Sequence, residues 1–371
     1  MTSRDHGGRR LHLALEADGG GAHPAAATAG GGLGGAALRR TVAAAEEAGF
    51  ALVTFADTPL PPDAGSGPGN APGNGAGLRV EAGTRAAFVA TLTDRIGLAP
   101  TLHATVTEPF HLATQLASLD HASNGRAAWV VGAANDAHAQ ATVGAVPLDP
   151  RALRREVADV IDTARALWDS WEDDAVIKDV ATGRFLDWRK VHHVDVEGDR
   201  FTVKGPLITP RPPQGQVVVL APDHLAVGGR ADVVLVAQPD PAAVAAAAAV
   251  SRQAGAPLVF AEVEVLLDAG LPAVERLAAL DGPWPQTGRL RHIGSAAGLV
   301  GLLRELAGSV DGVRLRPAVL GTDLPVLARQ VLPALADAGP HRPPRPGATL
   351  RDTLGLPRPA NRFAVPATTN S

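Results

Sequence analysis

The sequence predicts an α/β fold: a (β/α)8 barrel with an insertion between strands 4 and 5 and a C-terminal extension. Three observations predict it. The chain has 371 residues, which suits a barrel of about 250 residues with insertions. Short apolar runs alternate with longer helical patterns, as parallel strands joined by crossover helices require. Eight of those runs read as strands, the number that closes such a barrel. On periodicity alone, a doubly wound open sheet is the competing arrangement.

In order along the chain, residues 11–15 (LHLAL) form the first strand, and a Gly/Ala-rich loop follows. Residues 37–48 (ALRRTVAAAEEA) read as a helix closed by Gly49, where a left-handed conformation costs glycine little. Residues 51–56 (ALVTFA) are the second strand, 84–93 the next helix and 95–101 (RIGLAPT) the third strand. A helix over 109–120 leads to the fourth strand, 127–131 (AAWVV), and a long helix spans 151–171. The remaining strands are 217–220, 233–236, 258–267 and 312–315. Residues 61–77, nearly all Pro, Gly, Ala, Asn and Ser, predict a mobile loop. In a barrel that loop lies at the C-terminal face. Residues 173–216 form the insertion, in which 194–203 (VDVEGDRFTV) carries a β-hairpin signal. Residues 340–371 predict an extended tail packed on the outside of a single-domain chain.

Composition excludes several functions. The net charge is −4 and no basic stripe is present, which argues against nucleic acid. With no cysteine there are no disulfides, thiolate metal sites or cysteine nucleophiles. With no tyrosine, no phenol serves as acid or base. The longest apolar run, 241–250, is about half of a membrane span. A soluble, cytoplasmic protein is therefore expected.

Three stretches are specific: ASLDHASNGRAAW (117–129); residues 167–207, with LWDSWEDDA, GRFLDWRKVHHVD and GDRFTVKGPL; and VLPALADAGPHRPPRPGATLRDTLGLPRPANR (331–362). Together they resemble the bacterial luciferase-like flavin-dependent monooxygenases. The branch they point to holds nitrilotriacetate monooxygenase component A and dibenzothiophene-sulfone monooxygenase. The resemblance implies reduced FMN (FMNH2) used as a substrate and supplied by a separate flavin reductase. It also implies a flavin peroxide formed with O2, a small organic substrate and a homodimer. A cofactor that carries the difficult chemistry leaves the protein to hold the ring, keep water out and anchor the phosphate.

The candidate residues follow from that resemblance. Asp57 and Thr101, at the ends of the second and third strands, match residues bordering the flavin. His103, two residues on, is the imidazole placed for proton traffic. His111, on the next helix, is expected to pack. Val130 stands where the family carries an asparagine, and Gly132 and Ala133 where it carries a Thr-Ser pair. Asn135 or Asp136 would have to compensate. Only Arg154 remains of a His-x-x-Arg-Tyr motif. These apolar replacements predict a less polar pocket than that of a polycarboxylate oxidase.

The family's phosphate loop is shortened here to APDHLAVGGR (221–230), in which Gly228, Gly229 and Arg230 are the remaining anion donors. Asp120, Gly125 and Arg126 are expected to be structural, with Gly125 making a turn and Asp120 pairing with Arg126. The carboxylates of Asp169, Glu172, Asp173 and Asp174 lack the histidine spacing of a metal site, and adjacent His192 and His193 cannot easily share a ligand. No metal is expected. The eroded motifs leave two further readings open: a non-catalytic member with weak or no flavin binding, and a deazaflavin-dependent oxidoreductase.

Overall fold

The computed structural model describes residues 10–29, 34–60 and 80–364. The loop predicted at 61–77 and the last residues of the chain lie outside them. Eight parallel strands close into a ring: β1 (His12–Glu16), β2 (Leu52–Phe55), β3 (Gly97–His103), β4 (Ala128–Gly132), β5 (Val218–Pro222), β6 (Val233–Val236), β7 (Leu258–Leu267) and β8 (Gly312–Pro317). The ring closes where β8 pairs with β1, His12 opposite Gly312. All eight predicted strands are present, each within two residues of its expected ends, so the open-sheet alternative is excluded.

The sequence explains the pleat. In a closed barrel alternate residues face the interior and the helical layer. On β4, Trp129 and Val131 face the helices, while Ala128 and Val130 join the interior cluster with Ala14, Leu52, Ala99, Val218, Leu220, Val233, Leu235 and Phe260. Gly312 is glycine because Phe260 fills the barrel beside it: a Cβ there would lie 2.5 Å from the ring.

The outer layer is built by helices with local stop and start signals. Gly35–Ala48 ends on Gly49 at φ 94°, the left-handed closure expected. Ala82–Ala90 is capped by Glu81, which accepts from Gly83 N and Thr84 N. Pro109–Ala122 is capped by Glu108, and Pro150–Trp168 by Asp149, each with proline in its first turn. The last ends three residues before the predicted 171, with Asp169 as its C-cap. Among the described residues no helix is long and apolar enough to cross a membrane.

Between β4 and β5 the insertion contains the predicted hairpin, Asp195–Glu197 against Thr202–Lys204. It also contains a second, Val176–Asp179 against Arg184–Leu186. A ninth parallel strand, Leu290–Gly294, pairs with the far half of β7 outside the ring. It lacks the continuous apolar run by which buried strands are read.

The tail differs from expectation. Leu350–Leu354 is a helix with a Thr349/Asp352 capping box. Leu350, Leu354 and Leu356 are buried in the interior cluster, with Leu350 packed over Gly97. These leucines close the N-terminal end of the barrel instead of lying on its outside. Gln214 ties the plug to the ring, donating to Asp120 Oδ1 and Ala127 O and accepting from Arg351 N. Arg351 in turn reaches Asp232 and Gln216 O.

Candidate active site at the C-terminal mouth of the barrel

The C-terminal strand ends have two unlike halves. One half is lined by small, uncharged residues. Thr101 on β3 stands opposite Val130 on β4, and His103 opposite Gly132. The Thr101 side chain shares the inward face of β3 with Ala99, is half-buried, and makes no protein hydrogen bond among the described residues.

His103 folds over β4. Its Nδ1 accepts from Ala134 N at 3.1 Å, so the proton sits on Nε2, which donates to Asp57 O at 3.1 Å. The ring therefore bridges the ends of β2 and β4. It also explains the missing threonine: a Cβ at Gly132 would lie 2.5 Å from His103 Nδ1. Gly132→Ser should push the ring out of both hydrogen bonds and destabilise the protein by about 1–3 kcal/mol. Chemical denaturation reads this, and a variant as stable as the parent contradicts the assignment.

Asp57 Oδ1 accepts from Thr58 N and Oδ2 from Ala82 N, so the carboxylate ties β2 to the next helix. Val130 is buried inside the barrel. Asn135 exchanges both its amide groups with Leu148, and Asp136 caps Ala137–Ala141. Neither replaces the Thr-Ser pair.

The other half of the mouth is a wall of buried charge, and sequence reasoning missed it. Glu16 of β1, Glu262 and Glu264 of β7, and Arg314 and Arg316 of β8 all point inward. Arg314 donates to Thr54 Oγ1, Glu262 Oε1 and Glu16 Oε2. Arg316 lies 2.7 Å from both Glu16 oxygens. Arg289 donates through Nε to Glu262, and Arg291 binds Glu264 while stacking on Trp284. Burial alone would raise Glu262. Arg314, Arg289 and Arg316 outweigh that and hold its carboxyl down at about 2.

The sign of the pH effect follows. A depressed folded pKa stabilises above the unfolded value of 4.5 and is lost as pH falls through about 2. The contribution is on the order of 3 kcal/mol. Denaturation against pH should show a steeper acid loss for the parent than for Glu262→Gln. Equal slopes contradict the reading.

Gly228, Gly229 and Arg230 are elsewhere. They form a short 3-10 turn beside Ala254 and Gly255, ahead of β7. Arg230 pairs with Asp162, and its carbonyl accepts from Arg165, at the C-terminal end of a helix. This is the N-terminal side of the barrel. The β5–β6 connection has 3-10 turns in place of a crossover helix, so this connection offers no helix N-terminus at the mouth. Asp223, at the mouth end of that connection, has its carboxyl raised by burial, which outweighs hydrogen bonds from His224 N and the Gln238 side chain.

Other expectations divide. Gly125 does make its turn, at φ 84°. Asp120 and Arg126 do not pair. Asp120 accepts from Ala127 N and Gln214, while Arg126 donates to carbonyls of Ala90, Thr93, Ile96 and Ser123. Burial pushes Asp120 up to about 6 despite those bonds. His111 is exposed rather than packed. Asp169 and Asp173 are clamped by Arg211, Asp174 by Lys190 and Glu172 by His192. Among the described residues no cluster of three or more His, Cys, Asp or Glu suits a metal.

A flavin makes two demands of this site. To the first, a place for the ring, the Thr101–Gly132 sector brings a hydroxyl with no protein hydrogen bond among the described residues and, toward the mouth, only Val130 and Gly132 on the inward face of β4. The second, a grip on the phosphate, is not met by Gly228–Arg230.

The luciferase-like monooxygenase family pattern matches residues 18–275, which run from the end of β1 through β7. The chain belongs to the luciferase-like monooxygenase family. An N-acetyl-S-(2-succino)cysteine monooxygenase of Bacillus subtilis is 29% identical, over 77% of this chain and 83% of that one. Nitrilotriacetate monooxygenase component A of Aminobacter aminovorans is 42% identical over a shorter stretch, 37% of this chain and 30% of that one. The second relative lies in the expected branch. Among solved structures, a riboflavin lyase with modified FMN and substrate riboflavin superposes with a TM-score of 0.81. It is 22% identical and covers 94% of this chain and 96% of that one. At that identity the likeness speaks for the fold.

Proposed function

We propose that this chain is the oxygenating component of a two-component FMNH2-dependent monooxygenase acting on a small organic substrate, with a separate reductase supplying the flavin. The observation that carries the reading is the family match over 18–275, which spans most of the strand ends that build the mouth. Reduced flavin bound there supplies the activation of dioxygen. The chain's own residues shape the berth. Thr101 offers its hydroxyl to a ring carbonyl. His103 holds the β2 and β4 ends at a fixed separation, a positioning role that replaces the proton transfer expected of it. The ion-paired wall gives the berth a rigid side from which bulk water is displaced.

The test is rapid mixing of photoreduced FMN with dioxygen in the presence of excess protein. Reoxidation slower than that of free reduced FMN is expected. A rate equal to that of free flavin overturns the proposal.

A further inference from the structure

We propose that Arg289 and Arg316 form an oxyanion subsite at the barrel mouth, taking a carboxylate or phosphate monoester group of a bound ligand.

The two guanidiniums converge on one carboxylate. Arg289 Nε donates to Glu262 Oε2 at 3.0 Å, and Arg316 NH1 lies 3.8 Å from Glu262 Oε1. Both reach the mouth from the C-terminal ends of β7 and β8, one from the segment entering the ninth strand and the other from β8 itself. Loops after the last two strands of such barrels are frequent phosphate sites.

The neighbouring arginines are fully used: Arg314 by Thr54, Glu16 and Glu262, Arg291 by Glu264 and the carbonyls of Trp284 and Pro285. Arg289 is not. Its two terminal amino groups make no hydrogen bond among the described residues, and its side chain is 24% exposed. Arg316 is 19% exposed; both its terminal nitrogens are held by Glu16, and its buried Nε has no partner among the described residues. Glu262 beneath them fixes the Arg289 fork in place, so it is ordered before any ligand arrives. A planar fork with unused donors matches a two-oxygen anion. Four guanidiniums stand on this wall against three carboxylates. Beyond these three, Asp18, two residues past β1, also acts on Arg316, and Asp223 at the end of β5 acts on Glu262.

Two facts give the subsite a purpose. The proposed flavin carries a phosphate, and Gly228–Arg230 lie at the wrong end of the barrel to hold it. Substrates bearing carboxylates would need the same fork. The less polar pocket predicted from Val130, Gly132 and Ala133 does not describe this half of the mouth.

The test is calorimetry on the full chain and on Arg289→Gln, with reduced FMN, reduced riboflavin and succinate as probes. A fall of about tenfold or more in affinity is expected in the variant. If reduced FMN weakens while reduced riboflavin does not, the oxyanion is the flavin phosphate. If succinate weakens while the FMN-to-riboflavin ratio holds, it is a substrate carboxylate. Equal affinities of parent and variant for all three probes, or no binding of any by the parent, overturn the subsite. A parent that binds succinate through Arg289 but no flavin keeps the subsite and defeats the flavin reading. Arg289→Lys, which keeps the charge without the fork, serves where Arg289→Gln does not fold and should weaken the same probe.

Discussion

Replacing Arg314 with methionine is expected to cost about 3–5 kcal/mol of stability, the largest loss for any single side chain in the mouth. The reason is what it leaves behind. Glu16 and Glu262 are both buried, and among the described residues Arg314 is the one side chain hydrogen-bonded to both. Glu16 keeps Arg316 and Glu262 keeps Arg289, but the centre of the lattice becomes two facing carboxylates with a thioether between them. Burial would then push both acids upward, and they would take protons at neutral pH. The variant should therefore recover part of its loss between neutral and mildly acidic pH, while the parent, whose Glu262 contribution is lost only below 4.5, stays nearly level over that range. Denaturant midpoints at neutral and mildly acidic pH separate the two. An Arg314→Met protein as stable as the parent at neutral pH would show the lattice to be ornamental.

Leu350→Ala is expected to cost about 2–5 kcal/mol, the range for truncating a fully enclosed leucine. The site cannot collapse easily. Leu350 packs over Gly97, where even an added Cβ would stand 2.7 Å from it, and belongs to the same cluster as Leu52, Ala99 and Phe260. Were this segment merely laid on the outside, the loss would fall within about 0.5 kcal/mol, as for ordinary surface changes. Chemical denaturation distinguishes the two by several-fold.

The barrel itself was legible because closed parallel strands are buried on both faces and read as apolar runs. The Gly49 closure and the insertion hairpin were legible for local reasons, a left-handed cap and a tight turn. The charged wall was written in the same strands. Residues 261–265 read AEVEV and 313–316 read VRLR. Charges at every second position of a strand buried on both faces must point into the barrel, and opposite signs on adjacent strands must meet there. The valines and leucines of these strands mark them as buried, and the alternating Glu and Arg between them mark the wall.

The plug was harder. PHRPPRPGATLRDTLGLP has the proline content of an outer strap, and only the tertiary structure shows its three leucines entering the ring. Gly132 reads as an eroded motif in isolation. Its cause is His103 on the neighbouring strand β3, a pairing that spacing does not reveal. Gly228–Arg230 were misplaced because a shortened crossover returns the chain to the opposite end of the barrel before it reaches those residues.

The central claim is that the Thr101–Gly132 sector is a berth for dihydroflavin. Anaerobic calorimetric titration of reduced FMN into the parent and into Thr101→Trp tests it most directly, with denaturation showing that both proteins are folded. The account predicts micromolar binding by the parent and loss of about 100-fold or more when the indole fills the sector. No binding by the parent, or equal binding by the two proteins, contradicts it.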